Sequence, residues 1–160
     1  MTKTTLKDQS HDLEQMVTFN LGQEEFGVNI LQVQEINRMV EITEVPQTEN
    51  YVEGIINLRG KVIPIINLRK KFGMPDKEYD NHTRIVVVDI GGETVGMVVD
   101  GVSEVLRVPA GSLEEAPRLV AGGNSFSETD YIKAVVKLEQ RMLIYLDLNN
   151  IVSSSQLPTA

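Results

Sequence analysis

The stretch YVEGIINLRGKVIPIINLRKKF, residues 51–72, aligns without a gap with YIKAVVKLEQRMLIYLDLNNIV, residues 131–152. Each stretch contains two apolar runs rich in β-branched residues and separated by a polar turn, which predicts a strand, a turn and a second strand. The copies differ most at the turn, where Arg59 and Gly60 of the first copy align with Glu-Gln at 139–140. The apolar pattern occurs twice and the arginine once, so we predict a site at Arg59.

A second pair of stretches is also repeated. LGQEEFGVNILQVQEINRMV, residues 21–40, aligns with IGGETVGMVVDGVSEVLRVP, residues 90–109, and the connection between the two repeated blocks is longer in the second copy. Internal repeats normally mean that each copy is a structural unit whose apolar face is completed by its neighbour. The chain is therefore predicted to be an all-β protein built as a pseudo-symmetric pair.

The boundaries of the folded part follow from composition along the chain. Residues 1–14 are polar and aperiodic and residues 153–160 are small and polar, so both ends are predicted to be flexible. The folded domain is expected at 15–152, with one lobe at about 15–80 and the other at about 81–152, and with strand exchange between them left open. Gly27 and Gly96 inside strands predict a bulge or a close backbone approach.

Two further local signals concern the end of the first repeated stretch. Pro64 cannot donate a hydrogen bond to a neighbouring strand, so its strand is predicted to be an edge strand or to be bulged there, and to be available to another chain. Asn67 and Gly73 are predicted to cap a short helix, with Asp147 as the N-cap counterpart in the second copy. Few other helices are expected.

Composition excludes several classes of function. The net charge is −8 and only 5% of residues are aromatic, which disfavours nucleic-acid binding. Cysteine is absent, so thiol catalysis and cysteine-ligated zinc are excluded and a reducing compartment is favoured. The N-terminus has no apolar signal region and no apolar run approaches the roughly 18 residues of a membrane helix, so we expect a cytoplasmic protein without direct membrane insertion.

No motif predicts catalysis, a metal or a cofactor. The segment Gly54–Lys61 resembles a phosphate-binding loop but has five residues between its glycines, and Val62 stands where a hydroxyl is required. His11 and His82 have no spacing that predicts a shared metal ion. No nucleophile is paired with a base in the sequence, so we expect a protein that is not an enzyme.

Arg59 has two compatible interpretations, with Glu35 as its candidate partner. The ion pair would pin a turn, and an exposed guanidinium with five donors would also suit a partner surface. Glu35 recurs in the second copy as Glu104, whereas Arg59 does not recur. We therefore expect the glutamate to belong to the fold and the arginine to the site.

The stretches VQEINRMVEITEVPQTENYVEGIINLRGKVIPIINLRKKFG and RIVVVDIGGETVGMVVDGVSEVLRVP resemble the CheW family, the adaptors of bacterial chemotaxis arrays. The resemblance implies two intertwined five-stranded SH3-like β-barrels with a few short helices around an apolar groove. It also implies a non-enzymatic coupler without a cofactor. Its partners would be the helical tip of a transmembrane chemoreceptor and the regulatory domain of the histidine kinase CheA, and it would be recruited to membrane-associated receptor arrays.

The resemblance assigns residues to these contacts. Those implied in receptor coupling are Glu35, Asn57, Arg59 and Gly60. The apolar groove candidates are Ile30, Val33 and Val99. The kinase-facing candidates lie in 40–46 and 61–66 and are Val45, Lys61 and Pro64. Two alternatives stay open, namely an adaptor of a chemosensory-like pathway that controls something other than motility, and a small β-barrel module that binds a ligand.

Overall fold

The computed structural model describes residues 13–115 and 131–151, and its main elements are strands. The strands are β1 (Leu13–Leu21), β2 (Glu24–Asn29), β3 (Val33–Arg38), β4 (Val52–Leu58), β5 (Lys61–Asn67), β6 (Arg84–Ile90), β7 (Glu93–Val99), β8 (Gly101–Pro109), β9 (Leu113–Glu114), β10 (Ile132–Lys137) and β11 (Met142–Leu146). Two short helices, α1 (Leu68–Lys71) and α2 (Leu148–Ile151), follow β5 and β11, and 3₁₀ turns cover Ile30–Gln32 and Ala110–Ser112. The prediction of an all-β fold is confirmed.

The repeated stretches form equivalent elements. Strands β1 to β5 with α1 correspond in order to β6, β7, β8, β10 and β11 with α2. Even the irregularities recur, because the pairing of β4 with β5 shifts register between Val52 and Gly54, and that of β10 with β11 shifts between the aligned Ile132 and Ala134. The duplication in the sequence is therefore a duplication of structure.

Neither sheet corresponds to one half of the chain. One sheet has the order β8-β1-β2-β11-β10-β9, and the other has the order β3-β6-β7-β5-β4. Each thus combines the first two strands of one copy with the remaining strands of the other. Two parallel pairings, β2 with β11 and β5 with β7, hold the exchanged strands together, and each joins strands far apart in the chain. The short β9 gives the first sheet a sixth strand.

Each sheet curls until its two edges meet. After edge strand β3 the chain continues to Thr43, which exchanges backbone hydrogen bonds of 2.9 and 2.8 Å with Ile55 on the opposite edge. After β8 the chain likewise continues into β9, which pairs with β10. Gly54 makes the first closure possible, because its φ is +145° and an added Cβ would lie 2.1 Å from the carbonyl oxygen of Thr43.

The apolar core has three parts. Its largest part lies between the two sheets and contains buried residues of both, whereas two smaller clusters lie on the other faces of the sheets. Strand β6 contributes to two of them, since Val86 and Val88 face the shared core while Ile85 and Val87 face the interior of the second sheet. Burial on both faces explains why its sequence is a continuous apolar run instead of an alternating one.

The glycines inside β2 and β7 mark close packing. An added Cβ would lie 2.7 Å from the sulfur of Met16 at Gly27, and 2.5 Å from Cδ1 of Ile65 at Gly96. The antiparallel pairings of β2 with β1 and of β7 with β6 have no register shift. Of the two predicted explanations, a bulge or a close approach, the close approach is the one observed.

Of the two alternatives predicted at Pro64, an edge strand or a bulge, the edge strand is wrong for β5 as a whole, because β5 lies between β4 and β7. However, β5 pairs with β7 only from Ile65 to Asn67, so Pro64 has a neighbouring strand on the β4 side alone. This is how a proline is tolerated in an inner strand: the missing donor coincides with a locally unpaired side.

The predicted helix caps are confirmed. The side chain of Asn67 accepts a hydrogen bond from the backbone N–H of Lys70, and Gly73 has a φ of +75° after the C-cap residue. Asp147 accepts from the backbone N–H of Asn149 at 3.1 Å. Strand β1 begins at residue 13, inside the segment 1–14 predicted to be flexible, and the other residues of that segment, the tail 153–160 and His11 lie outside the described residues.

Candidate functional site

The β4–β5 turn presents Arg59 on a strained backbone. Leu58 pairs with Lys61, so Arg59 and Gly60 are the only residues of the loop, and their φ angles are +52° and +87°. Positive φ at both loop residues is typical of a two-residue hairpin turn, and it suits glycine but is uncommon for arginine. Asn57 fixes the turn by accepting a 2.8 Å hydrogen bond from the N–H of Gly60.

The predicted pair of Arg59 and Glu35 is present. Nη2 of Arg59 donates to Oε2 of Glu35, which lies on edge strand β3 of the same sheet. The arginine side chain is 72% exposed and that of Glu35 is 22% exposed. The pair therefore orients the guanidinium while leaving most of it open to a partner, so the two interpretations of Arg59 coexist.

An arginine–glutamate pair also occurs in the second copy, although the position aligned with Arg59 holds a glutamate. Nη2 of Arg141 donates to Oε2 of Glu104 at 2.6 Å, and Nε of Arg141 lies 3.5 Å from Glu25. Arg141 aligns with Lys61, whose ammonium donates to Thr94 at 2.9 Å. Arg141 therefore lies two positions after Glu139, the residue that aligns with Arg59. An alignment by position does not match the two arginines.

The groove candidates divide into two groups. Ile30 and Val33 are partly buried and pack against the core shared by the sheets. Val99 is wrong as a surface residue, because it is completely buried in that core and has no area with which to contact a partner. Leu31, which lies between Ile30 and Val33, was missed by sequence reasoning, although the residue is 89% exposed.

The two ranges predicted to face the kinase are adjacent in space. Val40, Glu41 and Thr43 from the first range line a cavity of about 450 Å³ together with Val62 from the second, and Asn57 also lines it. Val45 is half-buried, with its carbonyl accepting from Thr48 Oγ1 at 3.1 Å, and Pro64 is half-buried as well. Val45, Pro64 and the exposed Lys61 do not line the cavity. The cavity lies where the two edges of the curled sheet meet.

An ion pair that sequence reasoning missed joins the two sheets. Arg69 donates from Nε and Nη2 to the carboxylate of Asp100 at 2.8–3.1 Å, and Gly22 in the β1–β2 turn donates its N–H to the same carboxylate at 2.7 Å. Burial raises the pKa of Asp100, but the hydrogen bonds from Arg69 and Gly22 outweigh it and leave the pKa below its ordinary value. We call this arrangement the Arg69 clamp.

Within 13–115 and 131–151, no group of three or more histidine, cysteine or acidic side chains is arranged to hold a metal ion. His82 is exposed, and its Nδ1 lies 3.8 Å from Asp80. Over the same residues, no helix combines the length and the apolar character needed to cross a membrane.

Comparisons with known proteins give one consistent family. The family model described as a CheW-like domain matches residues 15–156. The chain is 38% identical over 144 residues to the chemotaxis protein CheW of Klebsiella aerogenes, covering 90% of this chain and 84% of that protein. It is 33% identical over 147 residues to the Bacillus subtilis protein of the same name, covering 92% of each. The crystal structure of the scaffolding protein TtCheW from Thermoanaerobacter tengcongensis superposes with a TM-score of 0.80 at 33% identity, covering 91% of this chain and 99% of that chain.

Proposed function

The chain belongs to the CheW family, and on that premise we propose that it is a chemotaxis adaptor that couples transmembrane chemoreceptors to the histidine kinase CheA. The observation that carries the proposal is the match along nearly the whole folded part to proteins named for chemotaxis and to one titled a scaffolding protein. In this role the protein transmits the state of the receptor to the kinase by binding both, and it catalyses no reaction of its own.

We propose that the receptor contact includes the β4–β5 turn, with Glu35, Asn57, Arg59 and Gly60 as its residues. The support is geometric, because Glu35 and Asn57 fix the position of a guanidinium that is largely exposed. A pre-oriented arginine loses little side-chain entropy when a partner binds, which is why such residues are frequent at interface hot spots. Ile30 and Val33 would provide the adjoining apolar contact for a helical receptor tip.

We propose that the kinase binds the surface where the two edges of the second sheet meet. Val40, Thr43 and Val62 line the cavity there, and two of them, Val40 and Val62, are exposed apolar side chains. An apolar depression with a polar rim is a typical anchor point for another folded domain. The regulatory domain of CheA would bind at this end, with Val45, Lys61 and Pro64 near the contact.

The cellular setting that follows is the cytoplasm, with recruitment to receptor arrays at the membrane. Each contact need be only moderately strong, because repeated contacts in an array multiply the overall avidity. Neither alternative, an adaptor with a different output or a module for a small ligand, gains support from the relatives found.

The test is a sedimentation assay in which the protein is mixed with a receptor cytoplasmic fragment, the kinase, or both. We expect the protein to sediment with each partner and to raise the autophosphorylation rate of the kinase when the receptor fragment is present. Absence of binding to both partners, for a protein whose fold is verified by circular dichroism, would overturn the proposed function.

A further inference from the structure

The two copies differ in charge at one pair of directly opposed residues. In the first sheet, Arg107 of β8 lies opposite Gln15 of β1. The equivalent pair of the second sheet is Arg38 of β3 with Arg84 of β6. Side chains of directly opposed residues project from the same face of a sheet, and like charges placed there repel each other. Arg84 therefore introduces a repulsion where the other copy has a neutral residue.

Neither arginine of this pair is neutralised by a described acidic side chain. None of the ion pairs among residues 13–115 and 131–151 includes Arg38 or Arg84. Nη1 of Arg84 donates to the carbonyl oxygens of Asn81 and Thr83 at 2.7 and 2.8 Å, which fixes the guanidinium. Its Nε and Nη2 have no hydrogen-bond acceptor among the same residues. The fold thus holds a cation in place and leaves two of its nitrogens for a ligand.

Arg84 lines a cavity of about 400 Å³ at the junction of the two sheets. Sites for small ligands have volumes of about 300–1,000 Å³. The Arg69 clamp also lines the cavity, and so does Lys77, which is paired with Asp80 at 2.7 Å. Since those two cations have their own carboxylates, the positive charge of Arg84 is left over, and Arg38 adds a second beside it. This local excess of positive charge occurs in a protein whose net charge is −8.

The equivalent place in the other copy lacks these charges. Three charged residues of the cavity, Arg84, Arg69 and Asp100, align with the neutral Gln15, Asn149 and Leu31. The repeated framework therefore forms without a charged cavity, so the charges are a property of one side of the molecule.

We propose that this cavity binds a small anion that carries a phosphate group, with Arg84 as its main contact and Arg38 beside it. A phosphate monoester carries about two negative charges at neutral pH, which matches the two uncompensated arginines. A guanidinium binds phosphate through two parallel hydrogen bonds, and Nε and Nη2 of Arg84 form one such edge. The bound anion offsets the repulsion within the arginine pair, so the ligand stabilises an arrangement that is unfavourable without it.

The test is a thermal-unfolding titration of the whole chain with inorganic phosphate and with glycerol 3-phosphate. Ionic strength is held constant with chloride, because exposed charges are screened by salt. A ligand that binds the folded state raises the unfolding temperature in a saturable way. We expect both probes to do so. Tighter binding of glycerol 3-phosphate would identify the ligand as a phosphate ester, and tighter binding of inorganic phosphate would identify it as the free ion.

Arg84→Gln is the main variant, because it gives the second sheet the arginine–glutamine pair that the first sheet already has. Without phosphate, its unfolding temperature should equal or exceed that of the parent chain. Its affinity for phosphate should be roughly tenfold lower. Arg84→Lys should recover only part of the affinity, since an ammonium cannot form the bidentate contact. Arg107→Gln removes the equivalent exposed arginine of the first sheet and should bind phosphate like the parent chain.

Several results would overturn the phosphate site. One is a shift that is absent or that chloride produces equally. Another is an equal response to phosphate in the parent chain and in Arg84→Gln, because the anion would then bind elsewhere. Equal weakening by Arg84→Gln and Arg107→Gln would reduce the effect to general charge attraction. If Arg84→Gln does not fold, Arg38→Gln makes the same comparison. None of these measurements involves a receptor or a kinase, so the proposed function is tested separately.

Discussion

The guanidinium of Arg69 and the carboxylate of Asp100 form a bidentate ion pair across the junction of the two sheets. Arg69 lies on the helix that follows β5 of one sheet, and Asp100 lies between β7 of that sheet and β8 of the other. Both side chains are nearly buried, with exposures of 13% and 11%. The carboxylate also binds Gly22 in the first sheet, so one acidic group connects three separate segments.

Asp100→Asn should lower the free energy of unfolding by about 3 kcal/mol, because it leaves the buried guanidinium of Arg69 without its counter-charge. Urea denaturation at neutral pH measures the change. The control is Glu104→Gln, which removes a carboxylate from the exposed pair with Arg141 and should cost about 1 kcal/mol or less. Equal losses in the two variants would show that the clamp contributes no more than a surface pair.

The same carboxylate makes stability depend on pH in the acidic range. Since the pKa of Asp100 is lower in the folded protein than its ordinary value, its contribution is complete above about pH 3.9 and is lost as the pH falls through the folded-state value. Asp100→Asn should flatten the fall in stability below that pH. Asp80, whose pKa is lowered to about 2 chiefly by its hydrogen bond from Lys77, should preserve part of the slope.

Arg59→Glu should leave the fold intact and abolish binding to the receptor fragment, because the exposed pair contributes about 1 kcal/mol or less to stability while the guanidinium is the proposed contact. Circular dichroism and sedimentation measure the two effects. Arg141→Glu, in the equivalent pair of the second copy, should retain binding.

The double variant Arg59→Glu/Glu35→Arg tests whether receptor binding needs only an ion pair between β3 and the turn or needs the positive charge on the turn itself. It restores a pair between β3 and the turn but moves the positive charge off the turn. We expect it not to recover receptor binding. Recovery would mean that the pair acts by fixing the turn and that Arg59 itself does not contact the receptor.

Gly54→Ala should cost about 3 kcal/mol, because the new methyl group would overlap the carbonyl of Thr43 and the backbone angle is unfavourable for any other residue. Thermal and urea unfolding measure the loss. The aligned position of the second copy already has alanine, so Ala134→Gly is the matched control and should cost only about 1 kcal/mol. Similar costs for the two changes would contradict a closure that is tighter in the first copy.

Tyr145→Phe should lower the amplitude of the late step in the spectrophotometric titration of the tyrosines. Burial, with a smaller contribution from Glu14, raises the pKa of Tyr145 to about 12, and its hydroxyl donates to Glu14 at 3.1 Å. The stability that this hydroxyl contributes is complete below its ordinary pKa of about 10 and is lost as the pH rises towards the folded value. Burial also raises the pKa of Tyr79 to about 12, so the late step should lose amplitude without disappearing. A variant that loses amplitude only from the earlier part of the titration would show that Tyr145 ionises there.

The sequence predicted what depends on neighbours along the chain. The hairpins and the cap at Asn67 followed from short spacing, whereas the candidate pair of Glu35 with Arg59 joins residues 24 positions apart. It could not predict the placement of Pro64 or the burial of Val99, because both depend on the parallel pairing of β5 with β7 across the two halves. The clamp was missed for the same reason, since Arg69 and Asp100 meet only after the sheets have exchanged strands.

The exchange of strands has a consequence for synthesis. When β1 to β5 have left the ribosome, β1 and β2 still lack β8 and β11, and β3 to β5 still lack β6 and β7. The second sheet can be completed once β7 has emerged, but the first waits for β11, so β1 and β2 remain without their neighbouring strands for longer, as in the incomplete states that aggregate readily. Two halves that look like consecutive domains therefore complete one another's sheets, and a break in the connection between β5 and β6 would leave two fragments that each lack strands of both sheets.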